Sequence, residues 1–388
     1  MELEIKRPDH VVPSYSLTGD LLSYLRCRLQ YRYHNGSALP PSRPVQQWFG
    51  EFLHGTLELA FRFWQENMND YPFPWPCTQR EWGAAEPGWA PNDIGRFANV
   101  VETSLRQRGR QARSRDARNS AYHRVALAIN QLGPHLFPLI VSAEKKVIGT
   151  REVPESEVLL RCSNYEVHGV IDVLTHVTLG QADNSNLIRT CVQEMCPELE
   201  GQYEVIVDYK GSQRPRTDEP YWEQGDWQVQ TYAWLRSRQP ESLPVAAGIL
   251  IYINELTPGN KEMENLRKGI AEGTTDVLPA SESDSQLIRM WRQGNDAEQL
   301  SVEFRLRRAI RITRITEESK QTALDAFDDV VRRAEENIIE EARAGDILQA
   351  WSPQCADEDT CSACDFRWFC PKKAGDPVGY VPGTPSAP

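Results

Sequence analysis

The stretch Tyr203–Ser212, YEVIVDYKGS, closes a β-branched run with Asp208 and Lys210 two positions apart. Side chains two apart on a strand share a face of the sheet. A carboxylate and an ammonium placed this way form either a surface ion pair, which stabilises little, or a pair that holds a metal ion against a phosphate. Three other stretches bear on the choice. In VHGVIDVLTH, Asp172 follows Gly169 on an apolar strand, where a carboxylate is costly unless a cation compensates it. In WQVQTYAWL, Gln228 and Tyr232 lie four apart on a helical pattern and so share a face. In FGEFLHGTLELAF, His54 sits among Phe49, Leu53 and Leu57. Each has a plain structural reading taken singly: a packed helical histidine, a turn-end aspartate, two ordinary helix-face residues. The ordered set His, Gly-x-x-Asp, Asp-x-Lys, Gln-x-x-x-Tyr is harder to dismiss. Asp172 and Asp208 are hard oxygen ligands suited to Mg²⁺ or Mn²⁺, and Lys210 can position a water or offset charge on a phosphate.

The cysteines form a second constellation. Nine are present; Cys355, Cys361, Cys364 and Cys370 cluster in CADEDTCSACDFRWFC, and Cys27 stands alone far upstream. In a chain that shows no secretory signal, this layout points to metal or redox chemistry rather than disulfides. Two metal readings stay open on spacing alone: a local Cys₄ zinc site, or Cys361, Cys364 and Cys370 joined by Cys27 around a [4Fe-4S] cluster. Arginines are also concentrated. Arg106, Arg108, Arg110, Arg113, Arg115, Arg118 and Arg124 crowd one segment diluted only by Asp116. They suit either a phosphate backbone or a solvated helix face.

The elements that must position these groups are legible in outline. Apolar spacing predicts a helix from Ser16 to Tyr33, another from Val45 to Glu66, and helical structure over 93–138 that closes at Gly133-Pro134. Residues 70–92, rich in Pro and Trp, read as a loop. Strands are predicted at 139–149, 157–163, 165–177 and 203–212, with a polar insertion at 180–201. A helix over Tyr221–Ser237, a strand over 247–256, a strand over 301–313 and a long amphipathic helix over Glu317–Ala344 complete the pattern. Trp222, Trp227 and Trp234 near Tyr232 suit either base stacking or core packing. The Pro/Gly-rich end, 373–388, is expected to be disordered.

With these residues in order, the sequence resembles the RecB-like branch of the PD-(D/E)xK nuclease superfamily, the iron–sulfur members in particular, which include CRISPR-adaptation and AddB/RecB-type exonucleases. The resemblance rests on His54, Asp172, the Asp208-Tyr209-Lys210 triplet, Gln228 with Tyr232, and the opening SYLRCRLQYRY, and it runs from about residue 16 to 372. It implies a restriction-endonuclease-like α/β fold over 1–372: a mixed central sheet flanked by helices, a helical insertion at about 70–138, and a C-terminal Fe–S clasp formed by 353–372 with Cys27. It implies that His54 and the Tyr209 backbone carbonyl complete the metal shell and that Gln228 and Tyr232 touch substrate or orient Lys210. It also implies the Cys27, Cys361, Cys364 and Cys370 ligand set, leaving Cys355 over. The implied activity is metal-dependent DNA cleavage, as an exonuclease on single-stranded ends, in CRISPR adaptation, DNA repair or anti-phage defence.

Composition bounds the rest. At 388 residues, 40% hydrophobic and a net charge of −12, the chain reads as a globular protein and not a general polyanion binder. No apolar run approaches a membrane span, and MELEIKRPDHVVPSYS lacks an apolar signal core, so the expected location is cytoplasmic. Nothing resembles a base-reading helix-turn-helix, and no Gly-x-x-x-x-Gly-Lys-[Ser/Thr] motor motif is present. A helicase or an adaptation or defence protein would then act as a separate partner. Two rivals remain: a non-catalytic subunit that binds DNA ends, and a zinc-stabilised interaction protein.

Overall fold

The structure, a computed structural model, describes residues 12–35, 45–68, 70–80, 88–181, 185–293, 300–353, 361, 364–368, 370 and 371. The expected tail at 373–388 and Cys355 lie outside the described residues. The strands are β1 (Ser14–Ser16), β2 (Ile140–Glu152), β3 (Asn164–Leu179), β4 (Gly201–Lys210), β5 (Val245–Tyr252) and β6 (Ile310–Arg314). The helices before the first long strand are α1 (Leu22–Arg26), α2 (Arg28–His34), α3 (Val45–Glu66), α4 (Ile94–Gln107) and α5 (Arg115–Leu136). Those that follow are α6 (Leu187–Met195), α7 (Pro220–Ser237), α8 (Asn260–Glu272), α9 (Glu282–Met290), α10 (Val302–Ala309), α11 (Glu317–Ala344) and α12 (Ile347–Ala350).

All six strands form one mixed sheet in the order β1-β3-β4-β5-β6, with β2 lying along the other edge of β3. β3 runs antiparallel to β2 and β4, and β4 runs parallel to β5. The run VIV in β4 is buried on both sides, as a central strand requires. Its alternating residues feed two cores. Val205 and Val207 face a layer containing Phe52, Leu53 and Leu57 of α3 with Val125 and Ile129 of α5. Ile206 faces a layer built from α7 and α11. Helices therefore flank both faces, as the sequence led us to expect.

Several boundaries differ from the sequence reading, each for a local reason. The first helix is interrupted: a π-turn covers Leu17–Leu21, and Cys27 breaks α1 from α2 with an extended backbone at φ −163°, ψ 115°. Residues 93–138 are two helices; the second starts at the Ser114 cap and carries Pro134 through its last turn. Residues 157–163 are not a strand but part of the β2–β3 connection. Within 301–313 the chain forms α10 first, burying Phe304, Arg305 and Arg308 at helical spacing, and becomes strand only at Ile310. The insertion at 180–201 contains α6, capped by Asn186.

Glycines let α7 lie close on the sheet. A Cβ at Gly169 would stand 2.6 Å from Cε1 of Tyr232, which is itself 2% exposed. Overpacking of this kind costs about 1–3 kcal/mol. Gly169→Ala should lower stability by that amount in guanidinium denaturation with the m-value unchanged; an unaltered midpoint would mean that the Tyr232 ring moves freely.

Candidate active site

β3 and β4 cease to pair after Val173 and Val207. The next residues, Asp172 and Asp208, therefore stand across from one another where the strands part. β4 stays paired to β5 through Asp208 opposite Leu250 and Lys210 opposite Tyr252, so its end is held rigidly while a gap opens on its other side. Asp172 Oδ2 accepts a hydrogen bond from the Tyr209 backbone N–H at 2.9 Å, bridging the gap.

Two helices close on this gap from opposite faces. From α3, His54 Nε2 donates to the Tyr209 carbonyl at 3.1 Å, and His54 Nδ1 lies 3.4 Å from Asp172 Oδ2. From α7, Gln228 Nε2 donates to Asp208 Oδ1 at 2.7 Å while Gln228 Oε1 accepts from Lys210 Nζ at 2.5 Å. The single amide thus fixes both partners of the Asp-x-Lys pair. Tyr232 hydrogen-bonds Gln228 and is buried beneath Gly169, so it acts on the site through Gln228 and is sealed from any substrate.

The sequence reading missed Glu144. In register it falls between the Ala143–Val173 and Lys145–Ile171 pairs, directly across from Asp172. Its backbone is left-handed at φ +52°, uncommon for a residue with a Cβ. The ligand atoms of His54, Glu144 and Asp172 all lie within 4.8 Å of one another. Glu58, one helical turn beyond His54, lines the same cleft with Tyr209. The His-x-x-x-Glu spacing could have flagged Glu58; nothing in the type or spacing of Glu144, followed by two lysines, marks it.

The electrostatics are those of an acidic site short of cations. Burial lowers the His54 imidazole, but Asp172, Asp208 and Glu144 outweigh it and lift the value to about 9. Burial raises the Asp208 carboxyl above the ordinary range, against the lowering effect of Lys210 and with that of Asp172 added. Partial desolvation, then Asp172 and Glu58, hold the Glu144 carboxyl high as well. Asp208 Oδ2 is ion-paired to Lys210 Nζ at 2.8 Å and has no other partner among the described residues. A buried carboxylate oxygen left so is costly. Together with hard oxygen donors and one imidazole, it fits a divalent cation.

The remaining predicted residues distribute as follows. Cys27 is buried at the α1–α2 break, and the C-terminal segment returns to it: Phe366 packs on Tyr33 at 4.7 Å and on His34 at 4.8 Å between ring centroids. Cys370 and Phe366 pack in the same apolar cluster as Cys27; burial raises the Cys364 thiol, a backbone N–H lowers it, and Cys27 and Cys370 raise it further. Cys361 sits one turn away, its carbonyl accepting from the Cys364 N–H at 3.2 Å. No disulfide joins any of them. In the arginine run, Arg110 is ion-paired to Glu51, and Arg118 is bidentate to Glu102 at 2.7 and 2.8 Å. Arg106, Arg108, Arg113 and Arg115 flank the α4–α5 turn. Trp227 and Trp234 belong to the core around α11, whereas Trp222 is half-buried under the Arg311 guanidinium.

Residues 198–371 match the family model of the PD-(D/E)XK nuclease superfamily, a stretch that holds Asp208, Lys210 and Gln228. PD-(D/E)XK nucleases use divalent metals, and a match to their family model suggests a nuclease. No curated protein matches the chain. The crystal structure of SSO0001 is similar at 12% identity and a TM-score of 0.28, covering 82% of this chain and 96% of that one; a likeness at that level has no bearing on fold or activity. No helix among the described residues is long and apolar enough to cross a membrane.

His54 supplies a test of the metal-free site. Its folded pKa, about 9, lies above the 6.5 of an ordinary histidine, so its stabilising effect is fully present below pH 6.5 and is lost as pH rises through 9. Without metal, wild type should exceed His54→Gln in stability by about 1–3 kcal/mol near pH 6, with the gap closing by pH 10. A gap that widens with pH would contradict this charge arrangement.

Proposed function

We propose that this chain is a divalent-metal-dependent deoxyribonuclease that trims single-stranded DNA from free ends. The observation that carries the reading is the meeting of Asp172, Asp208, Lys210 and His54, contributed by three separate elements, around a buried carboxylate oxygen whose one partner is the Lys210 ammonium. Asp172, Asp208, His54 and the Tyr209 carbonyl would hold Mg²⁺ or Mn²⁺, with Glu144 within reach. When bound, the cation supplies Lewis acidity to the phosphoryl oxygen and makes water a stronger nucleophile at neutral pH. Lys210, oriented by Gln228, offsets the charge that builds on the phosphate as the water oxygen bonds to phosphorus and the bond to the departing nucleotide oxygen breaks. His54 would have to lose a ring proton to serve as a ligand, so metal binding would release a proton.

The finer parts of the reading rest on the motif order. Action on single-stranded ends, and service in CRISPR adaptation, repair or anti-phage defence beside a separate helicase or defence protein, are what RecB-like resemblance implies. The same resemblance supports a [4Fe-4S] cluster on Cys27, Cys361, Cys364 and Cys370, with zinc as the alternative occupant. The packing of Cys370 in the same apolar cluster as Cys27 fits either. Its role would be to fasten the C-terminal segment onto α2, since the energy of binding a structural metal is folding energy.

Mn²⁺ added to end-labelled single-stranded DNA should give stepwise shortening that EDTA abolishes. Lys210→Ala should slow cleavage by roughly a hundred- to a thousandfold while the thermal shift induced by Mn²⁺ persists. Metal binding without cleavage in the wild type would favour a non-catalytic end-binding subunit instead. Protein purified without oxygen should be brown with broad visible absorbance, and Cys27→Ser should remove the colour and lower the melting temperature. A colourless protein with stoichiometric zinc would replace the cluster with zinc.

A further inference from the structure

Among the described residues, the buried arginines are held by carboxylates or carbonyls; the partly buried Arg124 is not. Arg32, Arg118, Arg236 and Arg308 each hold a carboxylate, and Arg305 donates to the Leu300 and Leu256 carbonyls. Arg124 on α5 makes neither a hydrogen bond nor an ion pair with any described residue, although its Nε is sealed from solvent. The acid that acts on it, Glu262, does so through charge without an ion pair, and its Oε2 accepts from the Gly259 N–H at 2.9 Å, capping α8. Desolvation accordingly lowers the Arg124 guanidinium. What it does touch is the ring of Phe49, 5.7 Å from Cζ to centroid.

Phe49 connects this guanidinium to the active site. Its ring lies 3.0 Å from where a Gly211 Cβ would stand. Gly211 directly follows Lys210, and its carbonyl accepts from Asn254 Nδ2 at 3.1 Å. Lys210, Gly211, Phe49 and Arg124 thus form a continuous path leading from the reacting centre to a half-exposed cation. An arginine left partly desolvated and unpaired is unfavourable unless an anion completes it. A phosphodiester is the anion that its planar fork fits, and its charge does not change across the working pH range.

The geometry points to Arg124 as a binding residue for a backbone phosphate of the strand adjacent to the scissile bond, with Phe49 as the platform that holds the guanidinium in place. This rests on the reading of the site as a nuclease. It also distinguishes Arg124 from Arg110 and Arg118 in the same run, whose charges are already spent on Glu51 and Glu102. Sequence discrimination does not follow, because a phosphate contact is common to every base.

The test is fluorescence anisotropy with a labelled single-stranded oligodeoxynucleotide of mixed sequence in Ca²⁺ buffer, over a chloride titration. Lys210→Ala serves as the shared parent so that no strand is cut. Adding Arg124→Gln should weaken binding roughly tenfold and reduce the log–log salt slope by about 0.7, the value of one single-strand phosphate contact. Adding Arg124→Lys should keep the slope. The Arg124→Gln melting temperature should not fall, because an unpaired desolvated charge is being removed. If the parent binds with a clear salt slope and both variants match it, the assignment of Arg124 is wrong while the nuclease reading stands. If the parent shows no salt-dependent binding, the nucleic-acid reading fails and this assignment with it.

Discussion

The rest of this structure depends on one electrostatic constraint: Asp172, Asp208 and Glu144 converge where two strands part, and only His54 and Lys210 oppose them. Like charges brought together out of water repel strongly. The fold tolerates them by raising the proton affinity of His54 and of the carboxyls themselves. In the metal-free state the doubly protonated imidazole lies between the Tyr209 carbonyl and Asp172 and serves in the place of a cation. Each neighbouring feature follows from holding that cluster still. β4 is buried on both faces and paired to β5 through Lys210, and one amide, Gln228, spans Asp208 and Lys210.

Holding it still requires that α3 and α7 approach the sheet from opposite sides without sliding. Buried bidentate pairs fix α11, on which α7 packs through Trp227 against Phe327. Arg151 and Tyr165 share Asp328 of α11, Arg161 and Tyr15 share Glu335, and Arg32 and Trp351 share Glu341. Such pairs add little net stability, because desolvation offsets much of the attraction. Each is nevertheless costly to break, and each ties a segment remote in sequence to one face of α11. The N-terminal helices and the segment following α12 are fastened in this way beside Cys27, where the C-terminal cysteines return.

Legibility in the sequence tracked how local the determining interaction is. The apolar run of β4 and the long amphipathic α11 were read correctly because burial on a strand or helix leaves a periodic trace. Asp172, Asp208 and Lys210 were readable because charged residues in apolar strands are conspicuous. SVEFRLRRAIRIT was misread as one strand because its β-branched residues favour extension, while the first half is helical through the Ser301 cap and burial of Phe304. The break at Cys27 and the left-handed Glu144 are backbone events that residue type does not announce. The arginine run was ambiguous for another reason: whether an arginine is available depends on a carboxylate far along the chain, such as Glu51 for Arg110.

That last point also bears on how a net charge of −12 is distributed over the chain. Total charge acts at long range and is screened within about 10 Å at ordinary ionic strength. Contact-range recognition depends instead on which cations remain uncommitted. Most buried guanidiniums here are neutralised within the fold, so they contribute register rather than field. Lys210 is shared between Asp208 and Gln228, so its ammonium is held at the site.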